Sequence, residues 1–162
     1  MLVLPGECWQ RIVAHCLDSL PLEACGLLAG TESAAPGAYG ERGPTERLQD
    51  RPATGSDWDP ATARVGDVYP AGNAARSARL YTVEPLDLLR ADRAAEAAGL
   101  SLIGVWHSHT RTPAYPSPTD IAQAPDPGWH YVLVSLSDIE PVLRSYRIVD
   151  GQAHEEPVLT PV

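Results

Sequence analysis

One stretch limits the possible folds of this chain more than any other. In it, an apolar run from Leu102 to Trp106 is followed directly by His107-Ser108-His109. Short apolar runs are typical of buried strands, in which successive side chains point to opposite faces. Because His107 and His109 are two residues apart, we expect both imidazoles on one face of the strand's continuation. The chain must therefore fold around a buried strand whose end presents two histidines to the same side.

The segment that follows supplies a third candidate metal ligand. Thr110 to Pro116 contains two prolines and predicts a loop, after which Ser117-Pro118-Thr119-Asp120 is typical of a helix start. Ser117 would be the N-cap and Pro118 the first helical residue, so Asp120 would lie in the first turn and point back toward the histidines. Two imidazoles and one carboxylate are the ligand set of a catalytic zinc site, whose fourth position stays open.

A hydrolase also needs a general base and a group that stabilises the oxyanion. Glu23 is the candidate base, because it stands at the edge of the small apolar run Ala24 to Ala29, where burial would raise its pKa. Ser117 is the candidate oxyanion donor, three residues before Asp120. Simpler interpretations exist: Ser117 could be an N-cap alone or have both roles, and Glu23 by itself would be unremarkable.

Composition limits the class of protein. At 162 residues the chain predicts one domain, and its net charge of −9, without a basic run, argues against a nucleic-acid partner. No apolar stretch of about 18 residues or more exists, and no signal peptide is recognisable, so we expect a cytoplasmic protein without a membrane partner. Cys8, Cys16 and Cys25 form no CxxC pair, which indicates reduced thiols.

The pattern of apolar residues and breakers predicts a mixed α/β or α+β single domain over residues 1–162. Between Thr31 and about Pro70, rich in Gly, Pro, Ala, Ser and charge, we predict a long loop or insertion. Within it, Asp57-Trp58-Asp59-Pro60 could cap a groove or be solvated. The other predicted elements are helices at Glu7–Leu17, Pro85–Ala98 and from Ser117, and strands at Leu2–Leu4, Ala24–Ala29, Gly66–Ala71, Ser77–Val83, Ser101–His107, Tyr131–Leu136, Val142–Val149 and Ala153–Val158.

The remaining polar candidates have structural interpretations. We expect His15, His130 and His154 to be structural or solvated, with His130 nearest to the site because it begins a strand after the motif helix. Asn73, in Gly72-Asn73-Ala74-Ala75, could be a plain turn residue.

These residues together resemble the JAMM motif of the MPN-domain zinc metallopeptidases. The matching elements are His107-Ser108-His109, seven residues, Ser117, two residues and Asp120, with the upstream Glu23 in Glu-Ala-Cys-Gly-Leu-Leu-Ala-Gly. The resemblance spans nearly the whole chain and is closest to small bacterial members of the Mec type. It implies a single MPN/JAB domain with a cytidine-deaminase-like mixed sheet flanked by helices.

The resemblance also implies residue roles and a substrate. In the family, residues matching His107, His109 and Asp120 bind one Zn²⁺, the match to Glu23 is the general acid/base, and the match to Ser117 stabilises the tetrahedral intermediate. Family members cleave peptide or isopeptide bonds after the C-terminal Gly-Gly of ubiquitin-like proteins, and Mec-type members release cysteine from a small sulfur-carrier protein in cysteine biosynthesis. The segment from Asn73 to Tyr81 resembles the family's substrate-groove strand.

Several alternatives stay open at this point. The stretch Ile121 to Gly128 is too short for the second insertion with which eukaryotic deubiquitinases grip ubiquitin chains, so that specificity is not expected. A general ubiquitin-like-protein isopeptidase, another amide hydrolase or a catalytically inactive MPN scaffold are the alternative functions. The sequence leaves the oligomeric state open, with a homodimer as one alternative.

Overall fold

The computed structural model describes residues 1–33 and 62–161, so the Asp57-Trp58-Asp59-Pro60 segment lies outside the described residues. The helices and strands, in chain order, are β1 (Leu2–Val3), α1 (Gly6–Asp18), β2 (Cys25–Ser33), β3 (Thr62–Ala71), α2 (Pro85–Ala97), β4 (Ser101–His109), α3 (Pro118–Gln123), β5 (His130–Ser135), β6 (Val142–Val149), β7 (Gln152–Glu156) and β8 (Val158–Leu159). The mixed α/β prediction is confirmed. Neither described range contains a helix with the length and hydropathy needed to cross a membrane.

The histidine-bearing strand β4 lies inside the sheet, whose strand order is β7-β6-β5-β4-β2-β3-β1-β8. It pairs antiparallel with β2 on one side and parallel with β5 on the other. The register sets Cys25 opposite His107 and His109 opposite Ser135. Because both edges of β4 are hydrogen-bonded, the motif is held by backbone ladders on two sides.

Different helices cover the two faces of the sheet. Alternation along β4 sends Trp106 to the face covered by α1 and Val105 to the opposite face, against α2 and α3. On the α1 face the core includes Cys8, Ile12, Cys16, Leu28, Trp106, Val132 and Val134, and on the other it includes Leu27, Ala91, Val105, Tyr131 and Leu133. His107 and His109 share the parity of Val105, so they lie on the α2 and α3 side.

The predicted loop from Thr31 to Pro70 is wrong at both ends, because β2 continues to Ser33 and β3 already begins at Thr62. A β-bulge explains the error. Ala29 pairs with Asp67 but Gly30 pairs with Val65, which leaves Gly66 without a partner. The extra residue shifts the alternation of buried side chains between Val65 and Val68, so a period of two is interrupted in the middle of the strand.

The predicted strand at Ser77–Val83 is also wrong, because only an isolated bridge between Asn73 and Val83 closes this segment. The Asn73 side chain forms hydrogen bonds with backbone groups that would otherwise bond to a neighbouring strand. Its oxygen accepts from the Ala75 and Thr82 N–H groups. An asparagine side chain that mimics the backbone in this way favours a loop over a ladder. The helical predictions are confirmed, including Gly99 after α2 with φ of 70°.

Candidate metal centre

Three candidate ligand residues from β4 and α3 form a small triangle. The Nε2 atoms of His107 and His109 lie 3.2 Å apart, and Asp120 places Oδ1 3.5 Å from the first and Oδ2 3.4 Å from the second. A tetrahedral zinc ion with bonds of about 2.0–2.1 Å needs ligand atoms roughly 3.3–3.4 Å apart. The predicted set is thus brought together with spacings that fit one such ion, and all three residues are buried.

Local structure fixes the carboxylate of this triangle. Ser117 is the N-cap of α3, as predicted: its hydroxyl accepts from the Asp120 N–H at 3.2 Å. The Ser117 N–H in turn donates to Asp120 Oδ2 at 2.7 Å, which completes a capping box. The four-residue motif therefore orients its own ligand, and both carboxylate oxygens remain directed at the histidines.

Each histidine is oriented differently. Nδ1 of His109 lies 2.9 Å from the Pro113 carbonyl, which can only accept, so Nδ1 carries the proton and Nε2 presents its lone pair to the site. The His107 ring stacks on Tyr81 with centroids 4.1 Å apart and planes 19° apart. Its Nδ1 is buried without a hydrogen-bond partner in the described part of the chain. Packing, more than hydrogen bonding, therefore holds the His107 ring.

The charge states suit a divalent cation. Burial would raise the pKa of Asp120, but hydrogen bonds from His107 and His109 outweigh it and hold that pKa well below its usual range. Burial lowers the pKa of His107, which keeps this imidazole neutral. For His109, burial lowers the pKa, but the hydrogen bonds with Asp120 and Pro113 raise it overall.

The candidate base, Glu23, is held by its backbone immediately before β2. Its N–H donates to the Ser77 carbonyl at 2.9 Å, and its own carbonyl accepts from Asn73 Nδ2 at 3.0 Å. The next residue, Ala24, exchanges two bonds with Ser108, through the Ser108 hydroxyl at 2.8 Å and the Ser108 N–H at 2.9 Å. Sequence reasoning missed these supports: Ser108, between the two histidines, and Asn73 both position the segment before β2 that contains Glu23.

The Glu23 side chain lies at the metal-ligand set. It is only 5% exposed and lines, with His109 and Ser117, a cleft of about 810 Å³. Burial raises the pKa of Glu23 to about 7, although His109 offsets part of that effect. A carboxyl group with a pKa near neutrality can both accept a proton and return it, which is what a general acid/base requires.

His130 is structural, as expected, although of the three remaining histidines it was the candidate to approach the site and it does not. It begins β5, which runs parallel to β4, and pairs with Gly104, five residues before His109 in the strand. There Nδ1 of His130 lies 2.5 Å from Glu156, and Nε2 lies 3.0 Å from Arg147. Its role is structural, as expected of His15 too, which packs edge-on against Trp106.

Known proteins resemble this chain over most of its length. A family model described as prokaryotic homologs of the JAB domain matches residues 5–149. The CysO-cysteine peptidase of Mycobacterium tuberculosis is 39% identical over 159 residues, which cover 98% of this chain and 90% of that protein. A probable TtuB-protein conjugate cleaving protease of Thermus thermophilus is 33% identical over 154 residues, covering 94% and 79%. A solution structure from Desulfitobacterium hafniense has a TM-score of 0.77 at 27% identity, covering 99% of this chain and 93% of the other.

Proposed function

The chain belongs to the family of prokaryotic JAB-domain homologs, which are metal-dependent hydrolases, and we propose a specific substrate for it. The proposed reaction is cleavage after the C-terminal Gly-Gly of a small ubiquitin-like protein. One observation carries the proposal: Glu23, whose pKa burial raises to about 7, lines the same cleft as His109 and Ser117. Ligands alone also serve structural metal sites, whereas ligands with an adjacent proton acceptor serve hydrolysis.

Each residue of the site has a distinct role in the proposed hydrolysis. His107, His109 and Asp120 would hold one zinc ion, which supplies Lewis acidity by lowering the pKa of water and polarising the carbonyl. Glu23 takes a proton from the attacking water and later returns it to the leaving nitrogen. The Ser117 hydroxyl accepts from a backbone N–H and still has its own proton to donate to the carbonyl oxygen as it gains charge.

The proposed substrate is a sulfur-carrier protein with a cysteine attached after Gly-Gly, so that the product is free cysteine for cysteine biosynthesis. The name of the mycobacterial relative, a CysO-cysteine peptidase, supports this choice, and the similarity covers almost all of both chains. The short connection between α3 and β5, residues 124–129, leaves no room for an insertion that would grip a ubiquitin chain.

A second candidate keeps the same chemistry but uses another leaving group. The name of the Thermus relative, a conjugate-cleaving protease, favours an isopeptidase that releases a ubiquitin-like protein from a lysine side chain. The inactive-scaffold alternative has less support, because every residue of the motif is present and the ligand atoms are assembled.

The test uses the CysO–cysteine adduct as substrate, with and without a chelator, and intact mass spectrometry as the readout. We expect a loss equal to one cysteine residue that the chelator abolishes and added Zn²⁺ restores. Absence of any chelator-sensitive cleavage, with this adduct and with a lysine isopeptide of the same carrier, would refute the proposal.

Three variants separate metal binding from proton transfer. Glu23→Gln should keep stoichiometric zinc, measured by elemental analysis, and lose activity by about 100-fold or more. His109→Ala should lose both metal and activity. The matched control is Glu140→Gln, an exposed residue in the turn before β6, which should retain both. Normal turnover by Glu23→Gln would contradict its role as the base.

A further inference from the structure

Two arginines face the cleft of an otherwise acidic protein. The chain contains no lysine, so its 12 basic residues are all arginines against 21 acidic ones. Arg79 and Arg111 both line the cleft that Glu23, His109 and Ser117 also line. Both are exposed, and neither guanidinium has an ion pair or hydrogen bond within the described ranges. A pair of unpaired cations beside the reacting groups indicates that the cleft receives an anion.

The position of Glu23 identifies which part of the substrate this cleft receives. Glu23 must reach the leaving nitrogen to return the proton, so the space it lines belongs to the leaving group. In a free amino acid, the α-carboxylate is separated from that nitrogen by a single carbon. In a lysine isopeptide, the nitrogen is followed by a four-carbon stem without charge. Only the first kind of leaving group carries an anion within one carbon of the nitrogen that Glu23 protonates, in the cleft that both arginines line.

We propose that Arg79 and Arg111 bind the α-carboxylate of a single amino acid attached after Gly-Gly, and so select that leaving group over an isopeptide-linked lysine. This inference rests on the proposed function and names its leaving group. Guanidinium groups form paired, charge-assisted hydrogen bonds with carboxylates, which gives them this selectivity. Hydrolysis adds water across the C–N bond: the carrier keeps the hydroxyl oxygen as its C-terminal carboxyl group, and the amino acid leaves with the proton on its nitrogen.

The first experiment measures binding without turnover. The Glu23→Gln protein is titrated by calorimetry with the CysO–cysteine adduct carrying either a free C-terminal carboxylate or a C-terminal amide. We expect the carboxylate form to bind about tenfold or more tightly, and the difference to disappear when Arg79→Gln and Arg111→Gln are added. Equal affinities for the two ligands, or no detectable binding of either, would overturn the inference.

The second experiment measures selectivity in the active protein. The ratio of kcat/KM for the carboxylate over the amide should be about 10 to 100 and should fall to roughly 1–3 in the doubly substituted protein. Arg93→Gln is the matched control, since Arg93 is exposed on α2 and does not line the cleft. Thermal unfolding checks that all variants fold.

The outcomes separate this inference from the proposed function. Chelator-sensitive cleavage of carboxylate, amide and lysine isopeptide at similar rates would leave the hydrolase intact and refute the role of the arginines. Absence of cleavage of all three would refute the proposed function, while the binding measurement would still decide whether the arginines recognise the carboxylate.

Discussion

Replacing Asn73 by alanine should weaken both the fold and the site, because its side chain ties three backbone segments together. Its Nδ2 donates to the carbonyls of Glu23 and Leu80, each at 3.0 Å. Its Oδ1 accepts from the N–H groups of Ala75 and Thr82, also at 3.0 Å. Asn73→Ala removes these four bonds together and leaves the loop without its internal scaffold.

The expected magnitude follows from the number of bonds and their exposure. A hydrogen bond contributes about 0.5–1.5 kcal/mol net, so four would contribute roughly 2–6 kcal/mol if all were fully buried. Asn73 is only half-buried and water can replace part of what is lost, so we expect about 2–3 kcal/mol. Asn73→Asp should cost at least as much, because it places an oxygen against the carbonyls of Glu23 and Leu80.

Urea unfolding of the metal-free protein, followed by circular dichroism, measures this loss. The same variants should show kcat/KM lowered by about tenfold or more, because a small displacement of Glu23 misaligns proton transfer. Thr110→Ala is the control, since it removes a single 3.4 Å contact with the Ala78 carbonyl and should change stability by less than about 0.5 kcal/mol. If Asn73→Ala and Asn73→Asp both behave like this control, the scaffold argument is wrong.

Three further substitutions test other parts of the structure. Ser117→Ala should lower kcat by about 100-fold and stability by about 1 kcal/mol; lower stability with unchanged kcat would leave Ser117 a helix cap only. Gly104→Ala should cost about 2–3 kcal/mol in urea unfolding, because a Cβ would stand 2.2 Å from the His130 backbone oxygen; a negligible cost would contradict that close approach. For Glu156, burial would raise the pKa, but hydrogen bonds with His130 and Ser145 lower it overall. The ionised group therefore stabilises the fold above the unfolded-state pKa, and this contribution disappears as the pH falls through the folded-state pKa. The stability difference between wild type and Glu156→Gln should shrink from about pH 6 to pH 3, and a constant difference would contradict the pairing.

The residues of the metal centre could be predicted because their geometry is local. His107 and His109 share a face through strand alternation, and Asp120 follows from the capping of a helix that begins at Ser117. Both patterns extend over a few residues and depend little on the rest of the chain. The structure accordingly brings together the same three candidate ligands that the sequence indicates.

The sequence was misleading where the environment overrides a local pattern. Alternation at Ser77–Val83 predicted a strand, but the Asn73 side chain satisfies that backbone and leaves a loop in which Tyr81 stacks on His107. In β3 the bulge at Gly66 concealed the first part of the strand, residues 62–65, because it breaks the alternation, whereas the second part, residues 66–71, was predicted. In each segment one residue, Asn73 or Gly66, changes the backbone pairing. The periodicity of the neighbouring residues does not predict this change.

By itself the sequence indicated the candidate ligands, the capped turn and the buried central strand, because each depends on contacts between residues close in the chain. Tertiary structure alone decided that Glu23 meets those ligands, since it stands far from them in sequence and reaches them through the pairing of β2 with β4 and the bonds between Ala24 and Ser108. It likewise decided that Arg79 and Arg111 share one cleft with Glu23. Contacts between distant segments depend on which strands pair in the sheet, and that pairing depends on the packing of the whole core.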